Sequence, residues 1–580
     1  MINSLKKPIT FLFRFVFFLA FIIIARLFYL QIHSSLVLLK KSERNYLRIS
    51  KIISPRGNIV DCNNQLIATN RPIIQLIWQG SGNHQFTQEQ HASLSLLDTF
   101  FKQAISTNSE ILIAEQSGKR IVLVDDICFD QLSYLVEQFP HHKNLLIHTA
   151  FQRYYPYITT ACHILGYLSR ISCDGSGTMG LENIFDDALK GVPGQLAMTI
   201  NSLGRSLQSK EVQQALTGRT LHTTLDIHLQ QFAEQAFPQD SRGALIIMEA
   251  KTGALLSVIS RPHFDPNIFL KPIDPAQWQE LQQNQPFINR AFSACYPPAS
   301  LFKLVTLTAA LEENLIDPQS MWLCTGHTTF KGRSHSCNKK TGHGLLTLQD
   351  ALAHSCNIPF YEIGRRIKID TLAHYATMLG LGSKSTTYLP EKSGLVPTSK
   401  WKRQVKGESW WPGETLSASI GQSFLLVTPL QICRMIGGLV EGFLVTPRIL
   451  ADDPIQQEPV TIRKNTRSFI LQSMQYVVSR GSGQVKGKLQ DIVIYAKTGG
   501  AQVKNYIKTG PVTDQPKEHG WFAAHITYKS HPSIIIVVLS ENVGSSSFSK
   551  LITKKFLVDY CNYMDNGPLK ATANIPDDAT

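Results

Sequence analysis

The chain has 580 residues, 57 Lys and Arg against 43 Asp and Glu, and a formal net charge of +14 with a sequence pI near 9.2. Its length predicts two to four folding units. Its 43% hydrophobic content excludes general disorder, 37 Gly with 28 Pro exclude a collagen-like repeat, and ten Cys are too few for a disulfide scaffold. A basic chain without a zinc-finger, helix-turn-helix or RNA-binding signature gives no support to nucleic acid as a partner.

Taken in chain order, the first element is an apolar run from Pro8 to Ile32, broken by charge only at Arg14 and Arg26. About 20 apolar residues span a bilayer core, and an arginine near each end snorkels to the headgroups. No small-x-small cleavage site follows, so the run predicts an uncleaved single-pass anchor. Lys6 and Lys7 precede it, whereas Lys40, Lys41, Arg44 and Arg48 follow it. Long C-terminal domains translocate largely regardless of such flanking charge, which places the bulk outside the cytoplasm.

Residues 33–50 read as a helical continuation, 51–80 as short strands and turns, and 85–150 as helix and strand without recognisable chemistry. Residues 151–215 carry Arg153-Tyr154-Tyr155-Pro156 and Gly180-Leu181-Glu182, then a polar, turn-rich stretch. Residues 243–260 predict a β-hairpin around Lys251-Thr252-Gly253. Strands are predicted at 491–496, 520–528 and 533–539, with helices at 300–314, 346–366 and 548–564. Helices grouped between hairpins predict an α+β domain with a largely antiparallel sheet.

Three short motifs carry chemistry. Ser300-Leu301-Phe302-Lys303 follows two prolines and opens an apolar helix, so Ser300 and Lys303 share a face one turn apart. A serine hydroxyl is a poor nucleophile until a base takes its proton, and a lysine is a base only when burial or a neighbouring cation keeps it neutral. The same spacing recurs at Ser4–Lys7, Ser336–Lys339, Ser399–Lys402 and Ser547–Lys550, so context must separate them; a serine capping a helix above a solvated lysine is the bland alternative. Ser355-Cys356-Asn357 lies 55 positions after Ser300 and just before Pro359, which is expected to break the helix and present Ser355 and Asn357 at its end. A near copy, His335-Ser336-Cys337-Asn338, sits in a polar stretch with no predicted element to hold it. Lys497-Thr498-Gly499-Gly500 follows an apolar strand; Lys-Thr-Gly also occurs at 251–253, 340–342 and 508–510. Glycine on an edge strand lets a substrate backbone approach and pair with it.

Ser-x-x-Lys, then Ser-x-Asn, then Lys-Thr-Gly is the motif set of penicillin-recognising acyl-serine enzymes. With Ser54-Pro55-Arg56-Gly57-Asn58-Ile59-Val60-Asp61, Phe264-Asp265-Pro266-Asn267, Asn289-Arg290, Ile420-Gly421-Gln422 and Thr428-Pro429-Leu430-Gln431, the chain resembles the class B penicillin-binding proteins over nearly its whole length. Arg153-Tyr154-Tyr155-Pro156 and Gly342-His343-Gly344 make it most similar to the elongation-type branch.

The resemblance implies an α+β protein with a tail and anchor at 1–32, an elongated mixed pedestal at 33–215, a transpeptidase domain at 216–565 whose antiparallel sheet is flanked by helices, and a flexible tail at 566–580. It implies peptidoglycan D,D-transpeptidation at the cytoplasmic membrane with the catalytic domain in the periplasm. Ser300 is the implied nucleophile, Lys303 its base and Ser355 the proton relay. Asn357 and Gly500 are implied to hold the substrate, Lys497 supplies positive charge for its carboxylate and completes the catalytic set with Thr498, Gly499 and Gly500, and the oxyanion lies between the N–H groups of Ser300 and Gly500. Implied partners are stem peptides with their lipid-linked precursor, a membrane glycosyltransferase of the elongation complex, and β-lactams as covalent inhibitors. The family usually has threonine where Gly500 stands, which removes a hydroxyl that contacts the substrate or drug carboxylate; it usually has glycine where Ser423 stands.

Cys324, Cys337, His343 and Cys356 fall within 33 residues, and thiolates with imidazole are zinc ligands. Some related proteins of the elongation type hold zinc at matching positions, with carboxylates among their ligands, which makes a structural zinc the expected cofactor; the acyl transfer itself requires none. A Cys324–Cys337 disulfide and inert thiols are the alternatives. For the whole chain, a D,D-carboxypeptidase and a catalytically weak scaffold or β-lactam sensor are the competing functions.

Overall fold

A computed structural model describes residues 6–52, 54–140, 142–169, 175–200, 206–386, 389–485, 487, 489–502 and 518–567, together with residue 388. The tail beyond 567 and the Lys-Thr-Gly copy at 508–510 lie outside the described residues. The N-terminal helix Lys6–Phe28 continues through a π-turn, Tyr29–His33, into a second helix, Ser35–Tyr46. Phe11–His33 has a mean hydropathy of 2.4 and none of it is buried. Among the described residues it is the one helix long and apolar enough to cross a membrane.

The chain divides into two compact units. The first comprises residues 1–56, 70–152 and 190–219. It contains an antiparallel sheet of Leu47–Ile52, Gly194–Ile200 and Ser206–Gln213, so two strands run through the stretch expected to be turn-rich. The helices Gln88–Phe101, Ser109–Ser117 and Phe129–Gln138 bury Leu94, Leu97, Ile111 and Leu135 against Leu76 and Trp78. Glu115 is fully buried there and accepts the Trp78 indole N–H at 2.9 Å and the Gln90 amide at 3.1 Å.

The second unit comprises residues 57–69, 153–189 and 220–580. Its frame is a five-stranded sheet of β1 (Gly243–Glu249), β2 (Leu255–Arg261), β3 (Ile492–Ala501), β4 (His519–Tyr528) and β5 (Ile534–Ser540). The order is β2-β1-β5-β4-β3 with every neighbour antiparallel, which leaves β3 on an edge. Helices cover both faces, so β5 reads as an unbroken apolar run, Ile-Ile-Ile-Val-Val-Leu, instead of alternating with polar residues. Leu245, Ile247, Phe522 and Val538 face α1 (Ile227–Ala236) and the C-terminal helix Ser547–Asn566. Ile246, Met248, Ala523 and Val537 face the larger core that includes α2 (Lys303–Glu312), α3 (Ile358–Arg366), α4 (Pro412–Ser419) and α5 (Pro429–Glu441).

Three motifs far apart in sequence meet inside this unit. Arg153 Nε lies 2.7 Å from Glu182 Oε1, and both side chains are essentially inaccessible. Arg153 Nη1 donates to Gly57 O at 2.8 Å and the Tyr155 hydroxyl donates to the same carboxylate at 3.2 Å. Asn267 brackets the Tyr155 backbone with two bonds of 3.1 Å. Removing one partner of a buried pair strands the other charge, so Glu182→Ala is expected to destabilise the unit by about 3–5 kcal/mol. The urea midpoint of the detergent-solubilised protein, followed by tryptophan fluorescence, measures this.

Candidate active site

Ser300 sits in a short 3-10 turn, Ala299–Leu301, that leads directly into α2, whose first residue is Lys303. The turn is held from three sides. Tyr296 and Val427 exchange two backbone bonds of 2.9 Å. Ala299 N donates to Gly421 O at 2.9 Å, and Trp521 Nε1 donates to Pro297 O at 3.0 Å. Ala299 is left-handed, with φ +50°, a strained state for a residue with a β-carbon. Gly421 backs this turn so closely that a β-carbon there would lie 1.9 Å from Ala299 O. That contact accounts for the glycine of Ile420-Gly421-Gln422.

The predicted helix 346–366 is two helices, Leu348–Ala353 and α3, and the joint between them is the second motif. The first helix ends in a left-handed residue, Ser355, with φ +53°. Asn357 precedes α3, and Pro359 lies in the first turn of α3, where a proline is tolerated. Pro359 therefore opens the following helix and does not break the preceding one.

Lys303 is completely buried and its amine lies in this joint. Nζ donates to Ser355 O at 2.7 Å, Asn357 Oδ1 at 2.7 Å and Ser355 Oγ at 3.2 Å. Burial pulls its pKa from the usual lysine value down to about 7, against the opposing pull of the Cys356 and Cys337 sulfurs. Lys497, on β3, is also buried; its Nζ donates to Thr498 O at 2.8 Å and to Ser355 Oγ at 3.3 Å. Its pKa lies well below the lysine range, first through burial and then through repulsion from Lys303. The Ser355 hydroxyl thus stands between two buried amines.

β3 lines the other side. A β-carbon on Gly499 would lie 3.4 Å from the Ser300 backbone nitrogen, so the strand runs directly against the serine turn. Gly499 pairs with Trp521 and Gly500 with Gly520. The Thr498 hydroxyl lies 2.6 Å from Ser482 Oγ, a residue the sequence reading did not single out. Ser300, Lys303, Ser355, Asn357, Lys497, Thr498, Gly499 and Gly500 are thus drawn into one neighbourhood from four separate elements.

Two of the competing Ser-x-x-Lys copies also begin helices, Ser399–Lys406 and Ser547–Asn566, so a helix start does not by itself distinguish Ser300. The lysine's surroundings do: Lys402 is buried but paired with the Glu414 carboxylate at 2.7 Å, Lys550 is only partly buried, and Lys303 is enclosed among the oxygens of Ser355 and Asn357. The near copy at 335–338 does have an element, a ribbon of His327–Phe330 and Arg333–Ser336. It supports the joint from outside, with Asn357 Nδ2 donating to Ser336 O at 3.2 Å and Asn338 Nδ2 to His354 O at 3.1 Å.

Beside the joint, one ligand atom from each of Cys324, Cys337, His343 and Cys356 lies within 4.8 Å of the others. The three cysteines are free thiols. Cys337 Sγ is 3.7 Å from Cys356 Sγ, and His343 Nδ1 is 3.5 Å from both Cys324 Sγ and Cys337 Sγ. A tetrahedral zinc with bonds of about 2.3 Å to sulfur and 2.0–2.1 Å to nitrogen requires separations of about 3.8 and 3.6 Å. The donor set and its spacing therefore fit that ion. The hydrogen bond between Cys356 and Cys337, together with the Asn357 N–H, holds the Cys337 thiol below its ordinary range, and sharing that one proton pushes Cys356 up.

Lys303 accepts a proton only when neutral, and the folded protein releases its proton near pH 7. Acylation of Ser300 is expected to rise about tenfold per pH unit below that point and to level off above it, in a pH profile of the covalent adduct. The unfolded chain keeps this proton up to about pH 10.4. Lys303 therefore penalises folding fully below pH 7, and its penalty is relieved as pH climbs from about 7 to that value.

A family model for the penicillin-binding protein transpeptidase domain matches residues 243–558, and one for the penicillin-binding protein dimerisation domain matches residues 51–223. Peptidoglycan D,D-transpeptidase MrdA of Acinetobacter baumannii is 27% identical over 93% of this chain and 85% of its own. The Escherichia coli protein of that name is 26% identical over 94% and 92%. The structure of the complex between penicillin-binding protein PBP2 and MreC from Helicobacter pylori superimposes with a TM-score of 0.76 at 26% identity, covering 90% of this chain and 100% of that one. A peptidoglycan synthase complex that coordinates polymerization and crosslinking matches with a TM-score of 0.71 at 28% identity, covering 97% and 99%.

Proposed function

This chain belongs to the family of penicillin-binding protein transpeptidases, and on that premise we propose how its residues divide the work of a peptidoglycan D,D-transpeptidase of cell-wall elongation. The observation that carries the assignment is the enclosed Lys303 amine, held by Ser355 and Asn357 three residues after Ser300. As an ammonium it spends its three N–H groups on these acceptors; as a neutral amine it keeps a lone pair for a hydroxyl proton.

Ser300 Oγ gives its proton to Lys303 Nζ and attacks the carbonyl carbon of the penultimate D-alanine of a stem peptide. The edge strand β3 pairs with the peptide backbone, and the N–H groups of Ser300 and Gly500 receive the developing oxyanion. Losing one such donor costs about 2.7–4 kcal/mol in a related context. The C–N bond then breaks, and a proton passes from Lys303 through the Ser355 hydroxyl, 3.2 Å away, to the departing amine of D-alanine. An amine from a neighbouring stem peptide attacks the ester, the crosslink forms and the proton returns to Ser300.

The apolar N-terminal helix suits a single-pass anchor in the cytoplasmic membrane, and we assign the catalytic unit to the periplasmic side because its substrate is there. The unit containing residues 70–152 is the proposed docking surface for a membrane glycosyltransferase, by analogy with the synthase complex that combines polymerization and crosslinking. Cys324, Cys337, His343 and Cys356 are the proposed holders of a structural zinc. Held by these four side chains, such an ion would keep the thiolates together and brace the residues on either side of Cys356. Ser355 and Asn357 are those residues, so the cluster fixes the cradle of Lys303 from behind.

Intact-mass measurement after exposure to a β-lactam, and in parallel to an acyl-donor thioester, tests the nucleophile. Wild-type protein gains one covalent adduct and Ser300→Ala gains none, while crosslinking and cell shape fail in cells relying on the variant. Persistence of both would favour a scaffold. For the metal, elemental analysis of the whole detergent-purified protein is expected to give one zinc per chain, lost in Cys337→Ser. Zinc-free protein with Cys324 bonded to Cys337 by mass would overturn that assignment.

A further inference from the structure

Residue 500 departs from the pattern expected of the family, and the structure reveals what occupies the adjoining space. A β-carbon on Gly500 would lie 2.7 Å from Glu518 Oε2. Successive residues of a strand alternate between faces, so Thr498 and Gly500 share one face of β3. Gly500 pairs with Gly520, and Glu518 lies two residues before Gly520, at the entry to β4. Its carbonyl oxygen accepts the N–H groups of Val543 and Gly544 at 3.0 and 2.9 Å, which fixes the backbone, while the side chain is half-exposed. The face on which two hydroxyls are expected therefore presents one, from Thr498, and a carboxylate.

We propose that Glu518 is a specificity-determining residue that sets the charge preference of the subsite beside Gly500, disfavouring a carboxylate that remains bound there and favouring an ammonium. This inference rests on the acyl-serine reading above. In transpeptidation the carboxylate of the terminal D-alanine departs once the C–N bond breaks, and the next arrival is an amine, cationic until it is deprotonated. A negative side chain at the rim opposes the seating of any donor carboxylate before acylation, speeds the exit of D-alanine afterwards and attracts the second entrant. A β-lactam behaves differently. Its ring opens when Ser300 attacks, but the carboxylate remains tethered to the acyl-enzyme, so the repulsion persists.

The test compares second-order rate constants for Ser300 acylation by a carboxylate-bearing β-lactam and by a thioester with an uncharged leaving group, read by intact mass on the full chain. Replacing Glu518 by the isosteric Gln is expected to raise the ratio of the two constants, β-lactam over thioester, by about tenfold at low salt. The gap between wild type and variant is expected to narrow at high ionic strength. Glu518→Ala should move the ratio in the same direction, which keeps the test open if one variant folds poorly. A ratio unchanged in both variants, or a gap indifferent to salt, overturns the role of Glu518. Absence of any Ser300 adduct from either donor in wild-type protein would instead overturn the acyl-serine reading.

Discussion

The site depends on removing one ammonium group from water. Lys303 has no access to solvent, and its amine is surrounded by two oxygens of Ser355 and one of Asn357. Burial weakens the charged form and so makes an ordinary lysine into a base near neutrality. Every other feature of the neighbourhood serves this placement. The serine turn enters α2 just ahead of it, the helix joint supplies its acceptors, and its presence in turn discourages the second buried amine, Lys497, from holding a proton. Without that enclosure, Ser300 would be one more serine at a helix start, as Ser547 is.

Much of this was legible because the motifs are short and their order is informative. The hairpin at 243–260, the strands near 491, 520 and 533, and the apolar anchor all follow from local periodicity. What escaped was set by tertiary contact. Ser355 adopts a left-handed conformation that no propensity scale assigns to serine, so one predicted helix became two. Pro359 is a helix opener only because the preceding chain has already turned. The ribbon at 327–336, which holds part of the copy at 335–338, gives no sequence signal because its strands are four residues each and polar, too short for a pattern to emerge. Ser482 and Glu518 carry no motif at all; Ser482 reaches Thr498 from the turn after the helix Lys464–Ser479, and Glu518 reaches Gly500 from the entry to β4.

The same logic explains why motifs 50 to 180 could be recognised but not interpreted from sequence. Gly57, Arg153 and Glu182 are read as separate signatures, yet a buried ion pair and a carbonyl bond make them a single packing unit. Residues 57–69 and 153–189 accordingly belong with the catalytic half of the chain by contact, although they lie far upstream of it in sequence.

Ala299 and Ser355 both occupy a backbone region that residues with a β-carbon ordinarily avoid, one beside the proposed nucleophile and one beside its proposed base. Such conformations persist only while surrounding contacts over-determine them. For Ala299 those contacts include the close approach of Gly421 and the bridge between Tyr296 and Val427. The five-stranded sheet needs no such enforcement. Competence for acyl transfer is therefore expected to depend on those few contacts more directly than the pairing of the strands does.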